Sequence, residues 1–312
     1  MGPAKKFFFL VAFFGASAAF AAESPRVLSE SAARDLGGKL FFDGRLARDG
    51  KRACAGCHLP EFGWTDREPK SLGVFGRRAP RNAPTVIGVA DVEAKGVLFR
   101  DGRVRSLPEF VFHPVTNSDE MDMTVAEVEK RISEVPVYGK LFAAAFGSPE
   151  VTFAKISEAI AVFLRTIRFA PSGTPVERPG FAVFEKAGCA ACHAGARLTD
   201  DSFHATGTGR AKELGGSGDP GRGKITGKPE EEGAFRTPSL LNVALTPPYF
   251  HDGSANTLSE IIRFYEQEMP EGVRIDPRRP VLKLSPQDRA ALLSFLESLN
   301  ATEGGFTRPE VP

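Results

Sequence analysis

One short pattern occurs twice in the chain, as Cys54-Ala55-Gly56-Cys57-His58 and as Cys189-Ala190-Ala191-Cys192-His193, 135 residues apart. The two copies use all four cysteines. Two thiols spaced in this way on a helical turn add across the two vinyl groups of one porphyrin, and the adjacent histidine then lies beneath the iron. A zinc site or a redox dithiol uses C-x-x-C, but neither accounts for a histidine following it both times. Two disulfides would be permitted in an oxidising compartment, yet the spacing argues against them. The expectation is two covalently bound haem c groups, on Cys54, Cys57 and His58 and on Cys189, Cys192 and His193.

Composition narrows the remaining choices. Forty Lys and Arg stand against 39 Asp and Glu, so no basic excess is available to neutralise a nucleic-acid backbone. The apolar share of 42% and charged share of 25% are those of a globular chain, which excludes disorder and collagen-like repeats, and 312 residues suggest two domains or one large one. Reactive side chains are few: 5 His, 4 Met, 3 Tyr and 1 Trp, beside 26 Phe. At the N-terminus Lys5 and Lys6 precede an apolar run from Phe7 to Phe14 and an alanine-rich stretch ending at Ala21. This reads as a signal peptide over 1–21, too short in its apolar core for the roughly 20 residues that span a bilayer. No later segment is apolar enough to cross a membrane. Removing 1–21 leaves 38 basic against 39 acidic residues, so an exported, nearly neutral protein of the periplasm is expected.

The rest of the chain reads as helices and long loops. Thr124 with Glu127 forms a capping box ahead of a helix to about Glu134, and Pro136 separates it from a second helix ending at Phe146. Thr152 opens a helix on which Phe153, Ile156, Ile160, Phe163, Leu164 and Ile167 recur at helical spacing. The stretch Ala170-Pro171-Ser172-Gly173-Thr174-Pro175 breaks the pattern. A short helix from about Gly180 to Ala187 leads to Cys189, and the glycine- and charge-rich segment 205–233 reads as a long loop. Thr257 with Glu260 caps another helix, and Ser285 begins the last. No alternating run is long enough to predict a sheet. The fold expected is all-α, with two cytochrome c-like haem domains in tandem over 22–170 and 179–312, joined by a linker over 171–178.

With these motifs in order, the chain resembles the bacterial diheme cytochrome c peroxidase family, which includes the MauG-type enzymes. The resemblance covers nearly all of the chain after the signal peptide. Its most specific block runs from Phe235-Arg236-Thr237-Pro238 through Asn242 and Thr246 to Pro248-Tyr249-Phe250-His251-Asp252-Gly253-Ser254. Further matches are Arg81-Asn82-Ala83-Pro84-Thr85, Asp101-Gly102-Arg103 and Asn117 through Glu120-Met121. The resemblance implies that hydrogen peroxide binds at the N-terminal haem and that the C-terminal haem transfers electrons. It also implies a calcium ion between the domains, on the Asn82 side chain and the carbonyls of Thr246 and Pro248, all oxygen donors.

Several positions refine or depart from that pattern. Leu258, Ile261, Ile262 and Tyr265 fall at i, i+3, i+4 and i+7, which is also the pattern of an ordinary core stripe. Tyr265 stands fourteen residues after His251, where the family places the axial ligand of the second haem. Ordinary peroxidases have methionine there and MauG has tyrosine; Met269, one turn on, competes for the role. A phenolate is a hard anionic donor favouring ferric iron, whereas a thioether raises the potential. The family's distal histidine of the first haem is absent from Ser71–Gly76, where Val74 is its counterpart, so that iron is expected to have His58 on one face and an open or water-occupied position on the other. Glu120 matches the catalytic glutamate, with a solvated loop acid as the alternative, and Phe110 replaces a glutamine that would assist it. His113, His204 and His251 read as hydrogen-bonded structural residues. Arg100 replaces the inter-haem tryptophan and cannot be oxidised, so electrons either tunnel without an aromatic relay or the two haems communicate weakly. The only tryptophan, Trp64, lies six residues after His58 and reads as locally packed.

Two kinds of function fit. One is a peroxidase drawing electrons from a small cytochrome c or cupredoxin, or from a protein substrate as MauG does. The other is a non-enzymatic diheme carrier, which would normally saturate both irons with strong ligands.

Overall fold

The computed structural model describes residues 25–169, 174–209, 216–301 and 306–312. The signal peptide expected over 1–21 and residues 171–173 of the expected linker lie outside the described residues. Among the described residues the fold is helical, built on two apolar cores. One draws on residues between Ala33 and Ile167, the other on residues between Phe184 and Leu299.

The first core is made by α1 (Glu30–Phe41), α2 (Val89–Ala94), α3 (Leu107–Thr116), α4 (Val125–Ser133), α5 (Pro136–Phe146) and α6 (Phe153–Thr166). Helix α6 is its axis. The Thr152 hydroxyl accepts from the Lys155 N–H and starts it, and an unbroken run from Ile156 to Leu164 is buried, which requires helices on more than one side. Helix α1 lies against it, started by Ser29, whose hydroxyl accepts from the Ala32 N–H. The contact is backbone to backbone. A Cβ on Gly37 would sit 1.9 Å from the Ala159 carbonyl oxygen, so glycine sets the closeness of the two helices.

The second core is formed by α7 (Phe181–Lys186), α9 (Leu258–Glu266) and α10 (Pro286–Ser298), with Phe181, Phe184 and Phe295 in mutual ring contact, and α8 (Gly223–Thr226) lies outside it. Both expected capping boxes are present, at Thr124 and Glu127 on α4 and at Thr257 and Glu260 on α9. The expectation of no sheet is corrected in a small way. β1 (Phe203–Ala205) pairs antiparallel with β2 (Ala234–Arg236), His204 opposite Phe235. Three residues per strand are too few for an alternating pattern to show in the sequence. The segment 205–233, read as loop, also contains α8 within its described part.

Gly37→Ala is expected to destabilise the protein by about 3 kcal/mol or more, since the added methyl meets main chain that cannot rotate away. Denaturant unfolding followed at the far-ultraviolet helix signal measures this, and unchanged stability would show that α1 and α6 can separate freely.

Candidate haem sites

Each C-x-x-C-H motif forms a single tight turn. Cys54–Gly56 and Cys189–Ala191 are one-turn 3-10 helices, and the His58 and His193 N–H groups donate to the carbonyls of Cys54 and Cys189 at 3.0 and 2.9 Å. None of the four cysteines is joined in a disulfide. Beyond each motif the chain returns so that a carbonyl meets the imidazole. His58 Nδ1 is 3.1 Å from the Trp64 oxygen and His193 Nδ1 is 2.9 Å from the Leu198 oxygen. A carbonyl only accepts, so Nδ1 carries the proton in both rings and Nε2 keeps its lone pair for a metal. Burial lowers the pKa of both histidines, which favours the same neutral form. Trp64 and Leu198 are both in left-handed backbone, φ 61° and 51°, a conformation uncommon for large side chains and held by packing on either side.

Each motif opens into a cavity. The first, of about 530 Å³, is lined by Cys54, Cys57, His58, Phe110, Glu120 and Met121 among others. The second, of about 310 Å³, is lined by Cys189, Cys192, His193, Tyr265, Leu282 and Leu296 among others. Both volumes lie in the range of cofactor pockets. Paired thiols, a neutral imidazole with a free Nε2 and a largely apolar wall fit a covalently held haem in each.

In the wall of the first cavity, Glu120 Oε1 accepts from Asn117 Nδ2 at 2.7 Å. Burial raises the Glu120 pKa, against the Asn117 hydrogen bond and the charge of Arg103, which lower it. The segment in which Val74 stands packs directly on this turn: the Val74 N–H donates to the Glu120 carbonyl at 2.8 Å, and a Cβ on Gly73 would lie 2.0 Å from the Asp119 oxygen. Val74 is fully buried. Among the described residues His58 is the only histidine lining this cavity. His113 turns away, edge-on to Phe99 at 5.6 Å. Trp64 is packed with Phe41, Phe163 and Phe306.

In the second cavity Tyr265 is part of the wall, and the Arg279 guanidinium lies 5.2 Å from its ring. Burial pushes the phenol up to about 12, with Arg279 pulling the other way. Met269 is not among the lining residues, and its sulfur lies against Gly207, where a Cβ would come within 2.5 Å. His204, on β1 rather than a loop, bonds to Asp276 at 2.6 Å and Asp200 at 2.9 Å. His251 stacks on Phe235 at 3.9 Å and bonds through Nε2 to the Ser217 hydroxyl, and burial pushes it down to about 4.

Sequence reasoning missed two features. Asp219, Pro220, Lys224 and Ile225, from the second half, line the first cavity, and Asp219 is held there by two hydrogen bonds from Arg81 at 2.6 and 2.8 Å. Only the abundance of glycine and charge in that segment marked it, and this does not say where the segment packs. The second feature is the wall between the cavities. Asn82, Pro84, Phe99, Arg100 and Phe110 line both of them. Asn82, Thr246 and Pro248 all line the second cavity, but Asn82 Oδ1 accepts from Arg100 Nη2 at 2.6 Å. The oxygen that would bind the ion is thus already held by a cation. Unit charges 4 Å apart repel by about 4 kcal/mol at an effective dielectric of about 20, and the second charge on calcium doubles this. These residues do not fit a calcium ion.

The comparisons agree with the two-haem arrangement. The family model described as di-haem cytochrome c peroxidase matches residues 31–174, and that of cytochrome c matches 178–300. The methylamine utilization protein MauG of Methylorubrum extorquens is 37% identical over 296 residues, covering 89% of this chain and 80% of that protein. The chain belongs to the di-haem cytochrome c peroxidase family. Cytochrome c551 peroxidase of Nitrosomonas europaea is 32% identical over 290 residues, covering 89% of this chain and 83% of its own. A solved MauG-like protein associated with microbial copper homeostasis superposes with a TM-score of 0.76 at 31% identity, over 89% of this chain and 93% of that one. The chain is therefore a haem-dependent oxidoreductase of the peroxidase type, with two cytochrome c-type domains in tandem and two haem c groups. No helix among the described residues is long and apolar enough to cross a membrane.

Gly73→Ala is expected to displace the 119–120 turn and cut peroxide turnover by about 100-fold, the usual cost of an ångström-scale misplacement. Haem content, read from the pyridine haemochrome, should be unchanged; full turnover would mean that the turn adapts without moving Glu120.

Proposed function

We propose that this protein is an exported, periplasmic diheme peroxidase that reduces hydrogen peroxide with electrons from a small cytochrome c or cupredoxin. The observation that carries this reading is the first cavity, with one histidine among its described lining residues and the Glu120 carboxylate, held by Asn117, in its wall. An electron carrier would be expected to close that iron with a second strong ligand. When bound, the first haem would supply the iron that takes up peroxide and passes electrons to it. Glu120, as the carboxylate, takes the proton from the inner peroxide oxygen and returns it to the outer one, which leaves as water. The whole reduction consumes two electrons from the donor and two further protons and yields two waters. Asn117 fixes the carboxylate for both transfers.

The second haem, when bound, would be held by His193 and Tyr265. The support for Tyr265 over Met269 is its place in the cavity wall, from which Met269 is absent. This MauG-like ligand supports a second reading, peroxide-dependent oxidation of a protein substrate. Supplying peroxide with reduced cytochrome c in one arm, and with candidate periplasmic proteins in the other, separates the two by donor turnover against covalent modification. A resting ferric spectrum showing only low-spin haem would overturn the open first site.

Glu120→Gln is expected to lower peroxide turnover by about 10²–10⁴-fold while leaving both haems attached. Because Glu120 acts first as a base, turnover in the parent should fall as pH drops through a value above the ordinary carboxylate range, and the variant should lack this acid limb. For the second site, Tyr265→Phe is expected to change the electronic absorption and electron paramagnetic resonance of one haem, and Met269→Leu to leave both spectra as they were. The reverse result would make Met269 the ligand.

A further inference from the structure

Arg100 reaches into the wall between the two haem cavities and meets Asn82, which is 5% exposed. Every polar group of Asn82 is engaged. Its N–H donates to the His251 carbonyl at 2.8 Å and its Nδ2 to the Glu68 carbonyl at 2.9 Å. Its Oδ1 and main-chain oxygen accept from Arg100 Nη2 at 2.6 Å and Nε at 3.3 Å. A guanidinium carries five donors and no acceptor, so toward oxygens it acts as a small cation of fixed geometry. The same two residues also tie the halves of the chain together. The Arg100 carbonyl accepts from the Arg236 N–H of β2 at 2.7 Å, while Asn82 holds His251.

The surrounding charges leave this position positive. Arg81 is paired with Asp101 and Asp219, and Arg236 with Asp201. Among the described residues no ion pair is formed by Arg100 itself; its contacts are the two Asn82 oxygens. The Asp252 carboxylate acts on the Arg100 charge without pairing with it, and a free metal cation brought to Asn82 Oδ1 would have to displace a tethered one.

We propose that the Arg100 guanidinium is a built-in cation that takes the place of a metal ion at the seam between the two haem sites, so that this protein joins its halves without calcium. The clamp is covalently part of the chain, so neither chelators nor dilution removes it. The side chain is a positioning residue for the seam and touches no reacting atom.

The test uses the holoprotein after exhaustive exchange against EGTA. Elemental analysis should find no stoichiometric calcium, and added calcium should leave both the melting temperature and the haem spectra unchanged. Arg100→Gln, which removes the charge and frees Asn82 Oδ1, should bind about one calcium per chain by titration calorimetry and should melt higher in calcium than in EGTA. Arg100→Lys should behave as the parent does. One tightly held calcium in the parent, or a fall in its melting temperature on chelation, would overturn the proposal. So would an Arg100→Gln protein that folds and is indifferent to calcium. Should that variant not fold, the parent's calcium content and its response to chelation decide the matter alone.

Discussion

A single hydrogen bond on the back of each imidazole sets the chemistry of both halves. With Nδ1–H committed to a main-chain carbonyl, Nε2 has to be the iron-facing atom, and the ring cannot rotate without losing its partner. The carbonyls belong to Trp64 and Leu198, whose left-handed backbone turns the oxygen back toward the motif. That conformation costs free energy, and the packing beneath it offsets the cost. Trp64 is seated among Phe41, Phe163 and Phe306, and Leu198 is 2% exposed in the second core. The two apolar cores thus hold main-chain carbonyls in unfavourable places so that two histidines face metal.

The seam between the halves is held by different means. Arginine and aspartate meet there repeatedly: Arg81 with Asp101 and Asp219, Arg103 with Asp101, Arg236 with Asp201. Asp101 and Asp201 are nearly inaccessible, so their charges depend on these partners, and losing one partner would leave a buried carboxylate unpaired. Arg100 adds a further positive charge in the wall between the two cavities. Phe99 and Phe110, 4.4 Å apart, are the aromatic rings left in the shared wall, and neither is readily oxidised.

Much of this was legible in the sequence where the signal is local. The C-x-x-C-H turns, both capping boxes and the starts at Thr152 and Ser285 depend on residues a few positions apart. Helix α3 was not anticipated, because Pro108 and Pro114 lie within it; Pro108 falls in the first turn, where no N–H is needed, and Pro114 in the last. Helix α1 was obscured by Gly37 and Gly38, which favour a turn by propensity and are required here by the approach of α6. The site residues divide the same way. The iron-facing histidines follow from spacing, whereas the partner of Arg100 lies 18 residues away and that of Arg81 138 residues away, set by tertiary packing that no local pattern encodes.

The first cavity is completed from outside its own half. Residues 219–225 supply part of its wall and are among the later parts of the chain to be made. A haem joined to Cys54 and Cys57 before those residues arrive would have one side open to solvent, and it would be enclosed only when Asp219 reaches Arg81. Closure over the first motif thus depends on chain that lies well beyond the half to which that haem is joined.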